Sequence, residues 1–344
     1  MIGVVLNMVR SFSPLEGKHG ERIATVDIGG HDLKVYMTGG SEPDSYEVIP
    51  TDLRGAMLET GDLDVDAYQR TVKGLGQAAT AIKNDGTVET RATTCSAGRG
   101  MSPSALARLE ADVQGILGTG LVVVPGDMEA ELGFYGALSC VGARTQDQRV
   151  VTVDVGGGST ELAVGTLSRG VSSTVSMPVG GSSLKIAVDG ETFDVESVEH
   201  TIDDYIAEAG DLSVFKWEPG TMLVIIGGIA GTLSAWTRDA KTTDPHAMDG
   251  EELLVEDLAP AGRMFFRLTP EEMAESGCVI PGREDSIGYA GLVLSTIVEA
   301  LDAKTVVVSS GGVAQALAVD ANWKKLLASV RKPAAKGKTL EEAD

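Results

Sequence analysis

Two aspartates occupy the same place in two copies of one pattern. Thr152-Val153-Asp154-Val155-Gly156-Gly157 repeats Thr25-Val26-Asp27-Ile28-Gly29-Gly30 almost letter for letter. Each copy reads as an apolar strand ending on the carboxylate, then a glycine turn, then a second strand-like run. In the second copy, Gly156, Gly157 and Gly158 remove every Cβ from the turn, so the backbone can come close to a ligand. Successive N–H groups in such a turn form an anion-binding concavity, and Ser159 and Thr160 add hydroxyl donors beside it. An aspartate that faces a phosphate needs a cation between them, and hard carboxylate oxygens suit Mg²⁺. The pattern therefore points to phosphate held by backbone amides, with Mg²⁺ held through Asp154. Either copy alone also reads as an ordinary glycine-rich hairpin. The repeated carboxylate favours the phosphate reading and predicts two similar domains facing each other across a cleft.

Hydrolysis of a phosphoanhydride also needs an in-line water and neutralisation of the transferring oxygens. Glu129 follows Pro125-Gly126-Asp127 into the first turn of a predicted helix. The N-terminal dipole favours its ionised form there, so it can orient and deprotonate water. Its alternative role is to stabilise that helix alone. Glu131, two residues on, points to a different face. Arg99 follows a β-rich run, and its planar fork suits either a phosphate oxygen or an ion pair. Glu161 opens the outgoing strand of the second hairpin, within reach of metal or water or else solvated. In the first hairpin, Gly29, Gly30 and His31 form the turn. A third glycine-rich turn, Gly227 to Thr232, joins a buried strand to a helix.

These residues need elements to carry them. At 344 residues with 43% hydrophobic content and 43 glycines, the chain predicts a turn-rich α/β protein of two domains. The expected division is an extension over 1–20, a first domain over 21–145, a second over 146–320 and a basic, solvated tail over 321–344. Val65 to Lys83 reads as a helix broken softly near Gly74 and Gly76. Ser102 caps a helix with Pro103 at its first position. Residues 239–260 read as a loop-rich acidic segment, with His246 in a structural role. The net charge of −22 opposes polyanions at long range and excludes nucleic acid as a natural partner. Cys95, Cys140 and Cys278 lie far apart without a CxxC pair, as expected of free thiols in a reducing compartment. No apolar run is long enough to span a membrane, and a cytoplasmic location is expected.

At the level of motifs, the chain resembles the exopolyphosphatase/guanosine pentaphosphate phosphohydrolase (Ppx/GppA) family, within the actin–Hsp70–sugar-kinase (ribonuclease H-like) fold. Asp154-Val155-Gly156-Gly157-Gly158-Ser159-Thr160-Glu161-Leu162 is similar to the second phosphate loop of that family. Gly126-Asp127-Met128-Glu129-Ala130-Glu131-Leu132-Gly133 resembles the helix bearing its catalytic glutamate, and Thr94-Cys95-Ser96-Ala97-Gly98-Arg99 its Thr-Ser-Ala-x-Arg segment. Ser176 to Gly180 and Arg283-Glu284-Asp285 match later family segments more loosely. The likeness runs from about Ala24 to Val313, and the length suits the short, two-domain members.

The resemblance implies a catalytic role for Glu129, Asp154 and Arg99. It implies phosphate contacts from Gly29, Gly30, His31, Gly156, Gly157, Gly158, Ser159, Thr160, Gly228 and Thr232. Asp27, Asp154 and Glu161 would hold Mg²⁺. The implied substrate is inorganic polyphosphate or a phosphorylated guanine nucleotide, and relatives suggest a homodimer. A kinase of the same fold and a non-catalytic polyphosphate or nucleotide sensor are the competing readings. The first loop departs from the family, which usually carries Asp-Ile-Gly-Ser-Asn-Ser. Here Gly30, His31 and Asp32 replace a hydroxyl and an amide and add a carboxylate. The whole reading requires Asp27 and Asp154 to face each other and Glu129 to enter the crevice.

Overall fold

In the computed structural model, which describes residues 21–53, 61–188, 194–244 and 246–330, each aspartate repeat becomes a hairpin at the heart of its own sheet. The first sheet contains β1 (Ile23–Ile28), β2 (Asp32–Thr38), β3 (Ser45–Pro50), β4 (Glu89–Thr94) and β5 (Leu121–Val123), in the order β3-β2-β1-β4-β5. The second contains β6 (Val150–Val155), β7 (Thr160–Thr166), β8 (Gly170–Met177), β9 (Met222–Ile226), β10 (Glu252–Leu254) and β11 (Thr305–Ser309). Its order is β10-β11-β9-β6-β7-β8. In both sheets a three-strand antiparallel meander continues through two parallel strands. The topologies match, apart from the antiparallel edge strand β10.

Burial explains why β1 and β6 are central. All six residues of β1 are buried, as are all of β6 except Asp154, which is partly buried. Central strands covered on both faces read as continuous apolar runs, without the alternation of a half-exposed strand. Helix Val65–Asp85 covers the first sheet, its start capped by Asp64 and its end by Gly86 in the left-handed region. It runs unbroken through the two glycines, because Gly74 lies directly against Leu33, Ile49 and Thr51, where a side chain would not fit. The Ser102 cap and Pro103 start of helix Pro103–Leu117 are as expected. Within 239–260 the chain forms β10 and enters helix Val255–Phe266, in addition to its loop.

Helix Gly126–Val141 joins the two halves. Met128 and Leu132 pack with Val313, Ala316, Leu317 and Leu326. Its other face, Ala130, Phe134, Ala137 and Leu138, packs on Val150, Ala163, Val224 and Ile226 of the second sheet. Residues 313–330 then return to the first sheet. Thr25 Oγ1 donates to the Ala314 carbonyl at 2.6 Å, and buried Arg91 donates to the Leu317 carbonyl at 2.6 Å and pairs with Asp320. Residues 320–330, read from sequence mostly as solvated tail, form a helix that buries Leu326. The extension over 1–20 and the tail over 331–344 lie outside the described residues.

Candidate active site

A cavity opens between the two hairpins. Asp27, Gly29, Gly30, His31 and Lys34 line it from the first half, and Asp154, Gly156, Gly157, Gly158, Ser159 and Glu161 from the second. Cys95, Glu129, Gly228 and Arg283 are also on its wall. The register of the hairpins decides what faces in. Asp27 is the cross-strand partner of Lys34, and Asp154 the partner of Glu161. Each strand-end aspartate therefore stands beside the residue seven positions later, a cation in one half and a carboxylate in the other.

The aspartates feel each other across this space. Burial pushes both carboxyls above their ordinary range; Lys34 opposes the shift in both, and Asp27 adds to it in Asp154. Thr93 Oγ1 donates to Asp27 at 3.3 Å, and the Cys95 thiol at 3.6 Å. Burial alone would pull the Lys34 ammonium down, but Tyr46, Asp154 and Asp27 outweigh it and hold the group charged. Lys34 is the site residue that motif reading misses. Folding the first hairpin about Gly29-Gly30 would have found it, because that register puts a lysine opposite Asp27.

Glu129 enters the same cavity. Helix Gly126–Val141 begins after Pro125 without a side-chain cap, and Asp127 and Glu129 fall in its first turn. Arg99 Nη1 donates to Glu129 at 2.6 Å and to the Val124 carbonyl at 2.8 Å. Its Nη2 lies 3.4 Å from Ser159 Oγ and 3.6 Å from Glu161. Arg99 thus ties the glutamate helix to the second glycine loop. Burial raises the Glu129 carboxyl to about 7, with Arg99 pulling down and Asp154 and Asp27 pushing up. Glu161 is driven up by burial, then by Glu129 and Asp154, while Ser176 Oγ donates to it at 2.8 Å. Two carboxylates beside one guanidinium titrate as a pair.

Three expected phosphate donors are placed otherwise. Thr160 is fully buried and its hydroxyl donates to the Val179 carbonyl at 2.6 Å, so it faces away from the cavity. Thr232 donates to the Cys278 carbonyl at 3.3 Å and lines a neighbouring cavity. Both hydroxyls are engaged by backbone carbonyls, as buried polar groups are as a rule. His31 is a strut between the halves. It lies 2.6 Å from Ser286 Oγ and 3.0 Å from Ser182 Oγ, and it fills the space left by the missing Cβ of Gly157. Burial, then Arg283 and Lys185, lowers it to about 4, so it brings no positive charge at neutral pH.

The altered first loop also engages Arg283. Asp32, buried, takes the Arg283 guanidinium side-on, through Nη2 at one carboxylate oxygen and Nε at 3.3 Å from the other. Arg283 in turn lies over Gly228, where a Cβ would collide with it. Gly228 is thus on the cavity wall as expected, but it accommodates an arginine there.

Two aspartate-led hairpins in matching sheets, with an acid from a connecting helix between them, define a protein of the actin-like fold with a cleft between its two halves. The sequence model of the Ppx/GppA phosphatase family matches residues 51–322, and the chain belongs to that family. The match begins after the altered first loop. Exopolyphosphatase 2 of Mycobacterium tuberculosis is 26% identical over 295 residues, covering 81% of this chain and 91% of its own. Among solved structures, an exopolyphosphatase-like protein superposes with a TM-score of 0.78 at 23% identity, over 89% of this chain and all of its own. An exopolyphosphatase from Cytophaga hutchinsonii gives 0.76 at 18% identity, over 88% and 98%. The Aquifex aeolicus PPX-GPPA enzyme gives 0.66 at 21%, over 87% and 99%. Among the described residues no helix is long and apolar enough to cross a membrane.

Proposed function

We propose that the protein is an exopolyphosphatase that hydrolyses the terminal phosphoanhydride bond of inorganic polyphosphate. The observation that carries this reading is Glu129, held by Arg99 in the cavity between the Asp27 and Asp154 hairpins. A carboxylate with its proton affinity near 7 is matched to general-base work at neutral pH. Glu129 takes the proton from the attacking water. Arg99 fixes the direction of that carboxylate and presents its other nitrogen toward Ser159 and the phosphate loop. The backbone of Gly156, Gly157 and Gly158, with the Ser159 hydroxyl, supplies donors to the terminal phosphate. Lys34 adds a fixed positive charge where the transferring oxygens gather.

The site also suits a hard divalent cation. Asp27, Asp154 and Glu161 are carboxylates raised by burial, with Lys34 and Arg99 as their nearest cationic partners. Oxygen-only donors of this kind favour Mg²⁺. These three residues would hold it, and it would neutralise charge on the phosphate oxygens. The relatives named as exopolyphosphatases support the choice of polyphosphate.

The test is phosphate release from tripolyphosphate, long-chain polyphosphate, pppGpp and ATP, with Mg²⁺ and then with EDTA. Release from polyphosphate that needs Mg²⁺ and drops by about 10²–10⁴-fold in Glu129→Gln supports the reading. Binding without release from any anhydride would make the protein a sensor, and ADP formation that depends on an acceptor would make it a kinase. Either outcome overturns the proposal, and preference for pppGpp would move the substrate to guanine nucleotides.

A further inference from the structure

A second group of reactive side chains lies apart from the cleft. Cys140, His246 and Asp249 bring one sulfur, one imidazole nitrogen and one carboxylate oxygen within 4.8 Å of one another. They come from different parts of the fold. Cys140 is near the end of helix Gly126–Val141, whereas His246 and Asp249 share a turn before β10. The Asp249 N–H donates to the His246 carbonyl at 3.2 Å, which places the two side chains together, and Gly250 N–H anchors the turn to Val308 at 2.9 Å. None of the three lines the phosphate cavity.

The surroundings orient these donors inward. Ser310, just after β11, donates its backbone N–H to Asp249 Oδ1 at 2.5 Å and its hydroxyl to Asp249 Oδ2 at 2.8 Å. A ligating carboxylate typically has hydrogen-bonded support of this type. Tyr46 packs edge-on against the His246 ring at 5.1 Å and sets its plane. At Gly311 a Cβ would meet the Gly136 carbonyl as well as Cys140 Sγ at 2.8 Å, so glycine lets the end of β11 pack directly against the helix that carries the sulfur. Among the described residues, no lysine or arginine forms an ion pair with Asp249; its ionic partner is His246 at 3.0 Å.

A nucleophile relay does not account for the group. Ser310 and Asp249 both meet the same imidazole nitrogen, Nδ1, at 2.8 and 3.0 Å. A serine–histidine–carboxylate relay needs the two partners on opposite ring nitrogens. Thiolate, imidazole and carboxylate are instead the donors of a borderline-soft transition metal. We propose that Cys140, His246 and Asp249 bind Zn²⁺ or a closely similar divalent transition metal, at a site separate from the Mg²⁺ of the cleft. The ion would tie the end of the glutamate-bearing helix to the 239–250 loop. His246, at 41% side-chain exposure, leaves the site open to solvent on one side.

The test uses the full chain, stripped with chelator and titrated with Co²⁺ as the spectroscopic stand-in for Zn²⁺. The expected result is a single equivalent that gives a thiolate-to-cobalt charge-transfer band and tetrahedral-type visible bands. Zn²⁺ displaces it and a large excess of Mg²⁺ does not. Cys140→Ser removes the charge-transfer band, His246→Gln abolishes stoichiometric binding, and Ser310→Ala weakens affinity by about 10-fold. Metal-free circular dichroism and melting curves show whether each variant is folded. If Cys140→Ser fails to fold, the exposed His246 variant carries the test. Absence of the band in the wild type overturns the proposal. So does a band that survives Cys140→Ser, or stoichiometric binding that survives His246→Gln, because the metal is then adventitious or held by another cysteine.

Discussion

Replacing Asp32 by asparagine tests whether the altered first loop restrains a cleft arginine. Asp32 and Arg283 form a buried, side-on pair, with relative exposures of 2% and 9%. Burial pulls the Arg283 guanidinium down to about 10, which still leaves it ionised at neutral pH, so its charge is buried and Asp32 is the counter-charge beside it. Asparagine keeps the volume and one acceptor but removes the charge. Breaking a buried pair from one side costs about 3–5 kcal/mol, because the remaining charge is left uncompensated. If the two halves unfold together, that corresponds to a melting temperature about 4–7 °C lower for a chain of this size. Replacing both partners, Asp32→Asn with Arg283→Met, should recover much of the loss, since a buried pair exchanged for uncharged groups is often nearly neutral. The functional sign is opposite. Arg283 lines the cavity between the hairpins, so freeing it gives an anionic ligand a new partner. Tripolyphosphate should therefore raise the melting temperature of Asp32→Asn by more than that of the wild type. Scanning calorimetry with and without ligand measures both effects. A single variant that melts within about 1 °C of the wild type would refute the energetic argument, and equal ligand-induced shifts would refute the restraint on Arg283.

In pH profiles, kcat/KM should rise through about pH 7 as Glu129 ionises, and Arg99→Met should move that limb to higher pH, because Arg99 favours the ionised carboxylate; an unmoved limb assigns the ionisation elsewhere. His31 is held neutral in the fold, with its pKa lowered to about 4, so its contribution is complete above its ordinary 6.5 and is lost as pH falls toward 4. Urea unfolding should show the wild type losing about 3 kcal/mol more than His31→Asn across that window, and parallel pH dependence would contradict the strut. Gly136→Ala sets a Cβ against the Gly312 carbonyl, where neither backbone yields easily, and should destabilise by about 1–3 kcal/mol in the same assay; a neutral result would mean that the helix crossing is loose. Lys34→Met should cut polyphosphate hydrolysis while leaving the fold intact by circular dichroism, and unchanged kcat/KM would remove Lys34 from the site.

Much of the architecture follows from short-range signals. The aspartate-led hairpins are legible because strand, glycine turn and strand are contiguous, and their repetition identifies two matching sheets. The helix start at Ser102 is equally local, depending on one hydroxyl and a following proline. Glu129 is readable as a first-turn acid for the same reason. What each side chain does at the site depends instead on contacts made across long stretches of chain. Arg99 meets Glu129 thirty residues on and Ser159 sixty residues on, and Arg283 reaches Asp32 across 251 positions. Thr160 sits in the family motif yet turns to a carbonyl that only the packed second half provides. A motif specifies which groups are available, because backbone geometry acts between neighbours. Only the packed tertiary structure decides which of them face the cleft, because burial and charge act through space and must satisfy every polar group the core encloses.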